Sequence, residues 1–282
     1  MGGRGHVAAQ RSPRVVLTIV LRVENGDERP AAGEAQALRE RVAENPAWYH
    51  TIDLGQGVTT EGYVDWRARA SAVLPSDLSG KRCLDIGTYD GFWAFEMEKR
   101  GGSVVAIDLD QLTSTEWPPV NRTRLEADAA AMGLELGRGF RVAHDALGSR
   151  VERVVCSVYD LTPDAIGGPV DVAFLGALLL HLREPVRALE AIRRALVPGG
   201  TLQVLECVSL RETLRAPRTP LAAFEPLRYD FNWWRPNVAG LLAYLTAAGF
   251  TDVRRGRLHR PPARPEMRTW YATASARAPY DS

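Results

Sequence analysis

The chain has 282 residues, 45% of them hydrophobic and 24% charged, enough to bury one large core or two small ones. Its 35 basic and 34 acidic side chains leave a formal charge of +1, so the overall balance announces neither a nucleic-acid nor an acidic-membrane partner. The three cysteines, Cys83, Cys156 and Cys207, are odd in number and lack the spacing of a zinc site or a disulfide framework, which predicts small core residues in a reducing cytoplasm and no bound metal.

Residues 1–32 carry Gly, Arg and Pro without helical periodicity, apart from "VVLTIVL" at 15–21. That run is far short of the ~20 residues of a membrane span, and no small-residue cleavage pattern follows it. An added strand or a poorly ordered extension is expected there, with no chemistry. "EAQALRERVAEN" at 34–45 predicts a helix with Ala37, Leu38 and Val42 on one stripe, stopped by Pro46. The segment "WYHTIDLGQGVTTEGYVDW", 48–66, concentrates aromatics, a histidine and turn glycines, the composition of a binding loop or lid too irregular for a regular element. Three parts are therefore expected: an extension over 1–45, a lid and linker over 46–80, and a core over 81–282.

From Lys81 the pattern becomes regular. "RCLDIG" predicts a strand, 92–100 a helix and "SVVAID" at 103–108 a second strand, together a βαβ unit. Further strands are expected in "RVVCSV" (153–158), "VDVAFLG" (170–176) and "TLQVLEC" (201–207), with the amphipathic helix "PVRALEAIRRALVPGG" ending on its glycines before the last of these. A helix is expected near 137–147, another over 238–248, a strand after "AAGFTDVRR" and a final one within 267–276. Continuous apolar strands alternating with helices imply an α/β fold, a parallel Rossmann-like sheet covered on both faces.

In such a sheet ligands sit beyond the carboxyl ends of the strands, where strand order reverses. The turn Asp85-Ile-Gly87-Thr88-Tyr89-Asp90-Gly91 falls at that place. Gly87 and Gly91 let backbone approach a ligand, and Asp108 ends the next strand at the ~20-residue distance from which an acid reaches ribose hydroxyls. A dinucleotide prefers G-x-G-x-x-G, closing a helix N-terminus onto a pyrophosphate, and here Tyr89 stands in the way. A turn carrying its own acids suits a ligand with an ammonium group and no phosphate, namely S-adenosylmethionine. The competing reading is a merely tight strand-to-helix turn.

On "LDIGTYDG", "VVAIDLD", "CSVYDL", "VDVAFLGALLLHLREP" and "LVPGGTLQVLE", the chain resembles the class I S-adenosylmethionine-dependent methyltransferases over residues 46–275. The resemblance implies a seven-stranded, mostly parallel sheet. It also implies that Asp85, Gly87, Thr88 and Gly91 line the methionine moiety, Asp108 and Leu109 hold ribose and adenine, Val158, Tyr159 and Asp160 flank the adenine, and Gly176 lies under the methyl donor. "WYHTIDLGQGVTTEGY", "DWRARASAVLPSDLSGK" and "WWRPN…AGF" look most similar to the branch containing the tRNA wobble-uridine 5-oxyacetic acid methyl- and carboxymethyltransferases. Where the carboxymethyl-transferring members carry a tyrosine before the histidine of the fourth motif, this chain has Leu180, and the lysine expected near the lid tryptophan is absent, with Tyr49 and His50 in that neighbourhood.

For a hydroxyl acceptor a base must take the proton, and His181 and His50 are the candidates. Against these roles stand a helix-packing histidine at 181 and a turn histidine at 50. Tyr49, Tyr229, Trp233 and Trp234 are expected to contact the acceptor, with one tryptophan equally suited to close the core under the preceding loop; Asn232 and Glu206 are expected to supply polarity, Glu206 being equally suited to a buried structural role and Asn237 to capping the following helix. The expected function is methyl transfer to an oxygen or nitrogen of a small-molecule acceptor, such as a specialised metabolite, with no membrane and no nucleic-acid partner. The alternatives are tRNA wobble-uridine modification, cyclisation or other non-methyl use of the sulfonium, and non-catalytic nucleoside binding.

Overall fold

The structure, a computed structural model, describes residues 29–280. The apolar run at 15–21 and its expected extra strand lie outside the described residues. The elements in chain order are α1 (Arg29–Glu44), β1 (Arg82–Ile86), α2 (Phe92–Glu98), β2 (Ser103–Asp108), α3 (Pro119–Ala131), α4 (Arg138–Leu147), β3 (Glu152–Val155) and β4 (Val170–Gly176). They continue with α5 (Pro185–Ala195), β5 (Leu196–Val208), α6 (Leu210–Arg215), β6 (Ala222–Phe224), β7 (Trp234–Pro236), α7 (Val238–Ala247), β8 (Thr251–His259) and β9 (Trp270–Arg277).

Seven strands form one sheet in the order β3-β2-β1-β4-β5-β9-β8, in which β9 alone runs against its neighbours. This is the Rossmann-like architecture expected from the sequence. The chain starts at β1, winds outward through β2 and β3, then crosses back to β4 on the other side of β1. The order therefore reverses between β1 and β4, which opens a crevice above their carboxyl ends, Ile86 and Gly176.

The apolar strands are continuous because both faces are covered. Leu84, Ile86, Val105 and Ile107 pack under α5 and α7, while Cys83, Val104 and Ala106 face the cluster built by α2, α4 and the segment before β1. Two expectations shift: β3 ends at Val155, with a 3₁₀ turn over Val158–Asp160, and β5 begins at Leu196. In the long connection 111–150, α3 appears in addition to the expected α4.

The segment 48–66 is more regular than its composition suggests. Trp48, His50, Ile52 and Leu54 are buried at every second position, as are Val58, Thr60, Val64 and Trp66 after the turn at Gly55-Gln56-Gly57. This is the period of extended chain. The two arms pair through Leu54 N to Val58 O (2.9 Å), Thr60 N to Ile52 O (2.9 Å) and Tyr63 N to Trp48 O (3.1 Å). The segment is thus a doubled-back cover whose buried side chains, Trp66 among them, belong to the α2 face of the core.

Gly62 fixes the close approach of the two arms, since a Cβ there would lie 2.1 Å from the carbonyl carbon of His50. Gly62→Ala should cost ~1–3 kcal/mol of stability by overpacking against backbone. Gly57 has a positive φ but no atom within 4 Å of its virtual Cβ, so Gly57→Ala should cost only ~1 kcal/mol. Thermal or denaturant unfolding of the two variants measures the difference.

Candidate active site

The crevice floor is the turn after β1. Gly87 and Gly91 have positive φ (71° and 87°), and so does Tyr89 (49°), a conformation that non-glycine residues seldom hold. The amides of Gly87 and Thr88 donate to Ile107 O (2.9 and 3.1 Å), and that of Tyr89 to Asp108 Oδ2 (2.7 Å). Asp108 also accepts from its neighbour Leu109 N through Oδ1 (2.7 Å), so two backbone amides orient the carboxylate and each oxygen keeps further lone-pair capacity. Burial raises its pKa against those two bonds.

Each glycine also has a packing reason. A Cβ at Gly87 would meet the Leu178 side chain at 3.0 Å, one at Gly91 the Phe95 ring at 2.4 Å, and one at Gly176 the Phe174 ring at 2.8 Å. The space beside Gly91 and Gly176 is filled by aromatic core, and only beside Gly87 is it held by a single movable side chain.

Asp85 and Thr88 lie beneath the turn, and both Asp85 Oδ2 and Thr88 Oγ1 are buried without a hydrogen-bond partner. Burial pushes the Asp85 pKa up to about 7, opposed first by the neighbouring Thr88 hydroxyl and then by His50. A buried carboxylate oxygen without a partner is what an ammonium group satisfies. These residues fit the amino end of S-adenosylmethionine, and Asp108 fits its ribose.

The second acid of the turn, Asp90, was given no role from the sequence, yet it makes the most contacts. Its Oδ2 accepts from Tyr49 N (3.0 Å) and His50 N (2.7 Å), and its Oδ1 lies 2.5 Å from His50 Nδ1. His50 stacks on Phe92 at 5.0 Å and is almost wholly buried. Tyr49 reaches the other way, its hydroxyl 3.3 Å from that of Tyr271 on β9. The cover is therefore bonded to the turn that lines the crevice.

A second group forms around the turn after β4. Ala177 takes a positive φ (49°), a 3₁₀ turn spans Leu179–His181, and the His181 Nδ1–H donates to Phe231 O at 2.9 Å. The loop 225–233 is anchored at Leu180 O by Trp233 N (2.7 Å) and at Glu116 O by the Trp233 indole N–H (2.6 Å), while Trp234 donates to Arg183 O (3.1 Å). Glu116, unnoticed in the sequence, also accepts from the Tyr159 hydroxyl (2.5 Å) and Arg183 N (2.8 Å). Burial lowers the His181 pKa, so its Nε2 lone pair stays available near neutral pH.

Several expected site residues sit elsewhere. Glu206 is fully buried and accepts from Leu179 N (2.8 Å) and Cys207 N (2.7 Å), with burial pushing its pKa up to about 8. It holds the β4 turn against β5 and has no face left for an acceptor. Tyr229 lies on the outer side of the loop between Arg228 and Arg235, and Asn232 is buried with only a 3.5 Å contact to Glu225, itself paired with Arg235 (3.0 Å). Asn237 caps α7, accepting from Gly240 N at 2.7 Å. Val158 is buried, Tyr159 half-buried and bonded through its hydroxyl, and Asp160 exposed.

A family model described as a methyltransferase domain matches residues 59–254. The chain belongs to the methyltransferase-domain family. Membership brings S-adenosylmethionine as the cofactor. Among curated proteins, the chain is 30% identical over 253 residues to the tRNA U34 carboxymethyltransferase of Pseudomonas paraeruginosa (strain DSM 24068 / PA7), covering 88% of this chain and 70% of that protein. It is 30% identical over 202 residues to the protein so named in Pseudomonas fluorescens (strain Pf0-1), covering 71% of this chain and 54% of that one. The chain spans little more than half the length of most of the curated relatives it matches. Among solved structures it is similar in fold to the N-terminal domain of EvdMO1 with SAH bound (TM-score 0.52, 20% identity, 87% of this chain and 97% of that one) and to the [4+2]-cyclase SpnF (TM-score 0.50, 19% identity, 87% and 93%).

The raised pKa of Asp85 has a measurable consequence. Without ligand, the folded state binds a proton at Asp85 between the ordinary 3.8 and about 7, so this residue's contribution to stability falls as pH rises through that window. An ammonium ligand favours the carboxylate, so S-adenosylhomocysteine should bind more tightly as pH rises from about 6 to 8 and release a proton on binding below about 7. Calorimetry in buffers of different ionisation enthalpy checks both, and Asp85→Asn should flatten the dependence.

Proposed function

We propose that the protein transfers a methyl group from S-adenosylmethionine to an oxygen or nitrogen of a small, partly aromatic molecule held between the cover and the 225–237 loop. The observation that carries the reading is anchoring: the two segments that would wall the acceptor side are bonded into the body, the cover through Asp90 and the loop through Trp233. Such walls suit an acceptor that is taken up whole more than a nucleotide within a strand. Leu180, in place of the tyrosine of the carboxymethyl-transferring relatives, agrees with a plain methyl donor.

The bound cofactor supplies a sulfonium methyl group open to an acceptor lone pair. Asp85 and Thr88 meet its amino end, and Asp108, pre-oriented by two amides, accepts from its ribose. Alignment of the acceptor against Leu180 and the indole of Trp233 accounts for much of the rate. For a hydroxyl acceptor, His181 is the proton acceptor: its Nδ1–H is committed to the Phe231 carbonyl, which leaves Nε2 as the basic atom. His50 competes for this role, with Asp90 holding its Nδ1.

A second reading, modification of a tRNA wobble uridine, is favoured by the names of the curated relatives and by the edge strand β8. Arg254, Arg255 and Arg257 are exposed there and have no carboxylate partner among the described residues. Bulk tRNA decides between the readings: binding through such arginines would fall steeply with salt as counterions are released. We expect no submicromolar retention of tRNA on filters, and salt-dependent submicromolar retention would replace the first reading with the second.

Asp108→Asn should weaken S-adenosylmethionine binding by ~1–3 kcal/mol, because a charged ribose acceptor becomes neutral. Unchanged affinity in the folded variant would place the ribose elsewhere. With an accepted substrate, His181→Ala should lower kcat by ~10²–10⁴ while cofactor affinity holds, since only the proton acceptor is removed. A loss seen in His50→Ala alone would move the base to the cover.

A further inference from the structure

Methyl transfer leaves one surface of the protein unaccounted for. Among the described residues ten large hydrophobic side chains are exposed, and six of them, Leu214, Leu221, Phe224, Leu227, Tyr229 and Phe231, fall within residues 214–231. A seventh, Val120, adjoins Asn121, whose side chain bonds that loop at Pro226 O (3.1 Å) and Asp230 O (3.2 Å). Phe231 packs on Trp117 at 5.8 Å and Phe224 on Trp234 at 5.0 Å, which sets part of this group, here called the collar, on and beside the loop over 225–233. Leu227, at the loop's tip, is 86% exposed. A concentration of this kind is more than the scattered exposure normal on a soluble surface.

Most acids around the collar are paired with arginine: Asp230 with Arg124, Glu126 with Arg122 and Glu184 with Arg187, while Glu116 has only the Tyr159 hydroxyl and a backbone amide as partners. Arg183, Arg218 and Arg228 have no carboxylate partner among the described residues. Exposed aliphatic and aromatic side chains at a loop tip, beside exposed arginines without a carboxylate partner, two of them over the rings of Trp233 and Tyr229 (4.8 and 5.2 Å), match a lipid surface bearing anionic headgroups: the apolar groups enter the headgroup and acyl boundary, and the arginines meet phosphate. A single-stranded nucleic acid would use the aromatic members for stacking but gains nothing from Leu214, Leu221, Leu227 and Val120.

We propose that the collar docks the protein on an anionic lipid surface, with the mouth of the acceptor site facing that surface. No described helix is long and apolar enough to cross a membrane, and this contact is peripheral. It is independent of which atom receives the methyl group. The test is co-sedimentation of the whole protein with phosphatidylcholine vesicles prepared with and without phosphatidylglycerol. Retention is expected on the anionic vesicles, weaker on the neutral ones and reduced by salt. Leu227→Glu should lower it by about tenfold or more, the loss expected when a buried leucine is removed from hydrocarbon, with S-adenosylhomocysteine binding unchanged as proof of folding. No retention of the wild type, or equal retention of the variant, overturns the proposal. So does a wild-type dimer that Leu227→Glu dissociates, which would give the collar to a second copy, or tRNA binding that the same substitution abolishes. Failure of the wild type to bind S-adenosylhomocysteine would instead sink the methyl-transfer reading and leave the vesicle result to stand by itself.

Discussion

One carboxylate ties the two halves of the site together. Asp90 sits in the turn that lines the crevice, and its three contacts reach the backbone of Tyr49, the backbone of His50 and the His50 ring. Hydrogen bonds to a charged group are worth ~1.5–3 kcal/mol each, and more is lost when donors are left buried without a partner. Without Asp90 the cover would keep its hydrogen bonds to residues 262–264 and to Tyr271 and lose those to the crevice turn. With it, the turn cannot shift without drawing on the cover, and the cover cannot lift without unbonding the turn. The cover and the crevice turn are thus bonded into one unit through Asp90.

The same logic explains where backbone strain is kept. Tyr89 and Ala177 are non-glycine residues with positive φ, and they stand at the carboxyl ends of β1 and β4, on the two sides of the crevice. Each conformation is over-determined by its neighbours: Tyr89 N is held by Asp108, and Ala177 N by Leu205 O at 2.7 Å. Strain sustained by this many bonds is characteristic of sites where a ligand needs backbone in one fixed shape. Glu206 then has a role different from the one its position suggested. It accepts from the amide of Leu179, and so fixes the turn that carries Leu180 and His181.

The sheet was legible because burial on both faces writes itself as unbroken apolar strands, and the Asp85 to Gly91 turn because its residue types are few and specific. What was not legible depended on distance along the chain. Asp90 looks like one more acid in a turn until the backbone of residues 49 and 50 arrives. Glu206 looks like a strand-end ligand until the β4 turn folds onto it. The cover forms no regular strand or helix, as its composition implied, but its alternation from Trp48 to Leu54 and from Val58 to Trp66 was also present, while aromatics, His50 and the three glycines 55, 57 and 62 drew attention to composition rather than period. Gly62 shows the difference, since it is a glycine because the His50 backbone passes 2.1 Å from where its Cβ would be.

Net charge was the weakest guide. A formal +1 argues against a polyanionic partner only if charges are spread evenly, and here they are not. Near the collar Asp230 is paired with Arg124 and Glu225 with Arg235, while Arg254, Arg255 and Arg257 on β8 and Arg183, Arg218 and Arg228 around the collar have no carboxylate partner among the described residues. The surface a partner meets is set by these leftovers and by the apolar groups between them. Two faces of the protein are basic in this sense, and they differ in kind: β8 presents arginines on an edge strand, whereas the collar presents them among leucine and phenylalanine. Polyelectrolyte attraction can act on the first, but only the second offers apolar area whose removal from water adds a term that salt does not screen.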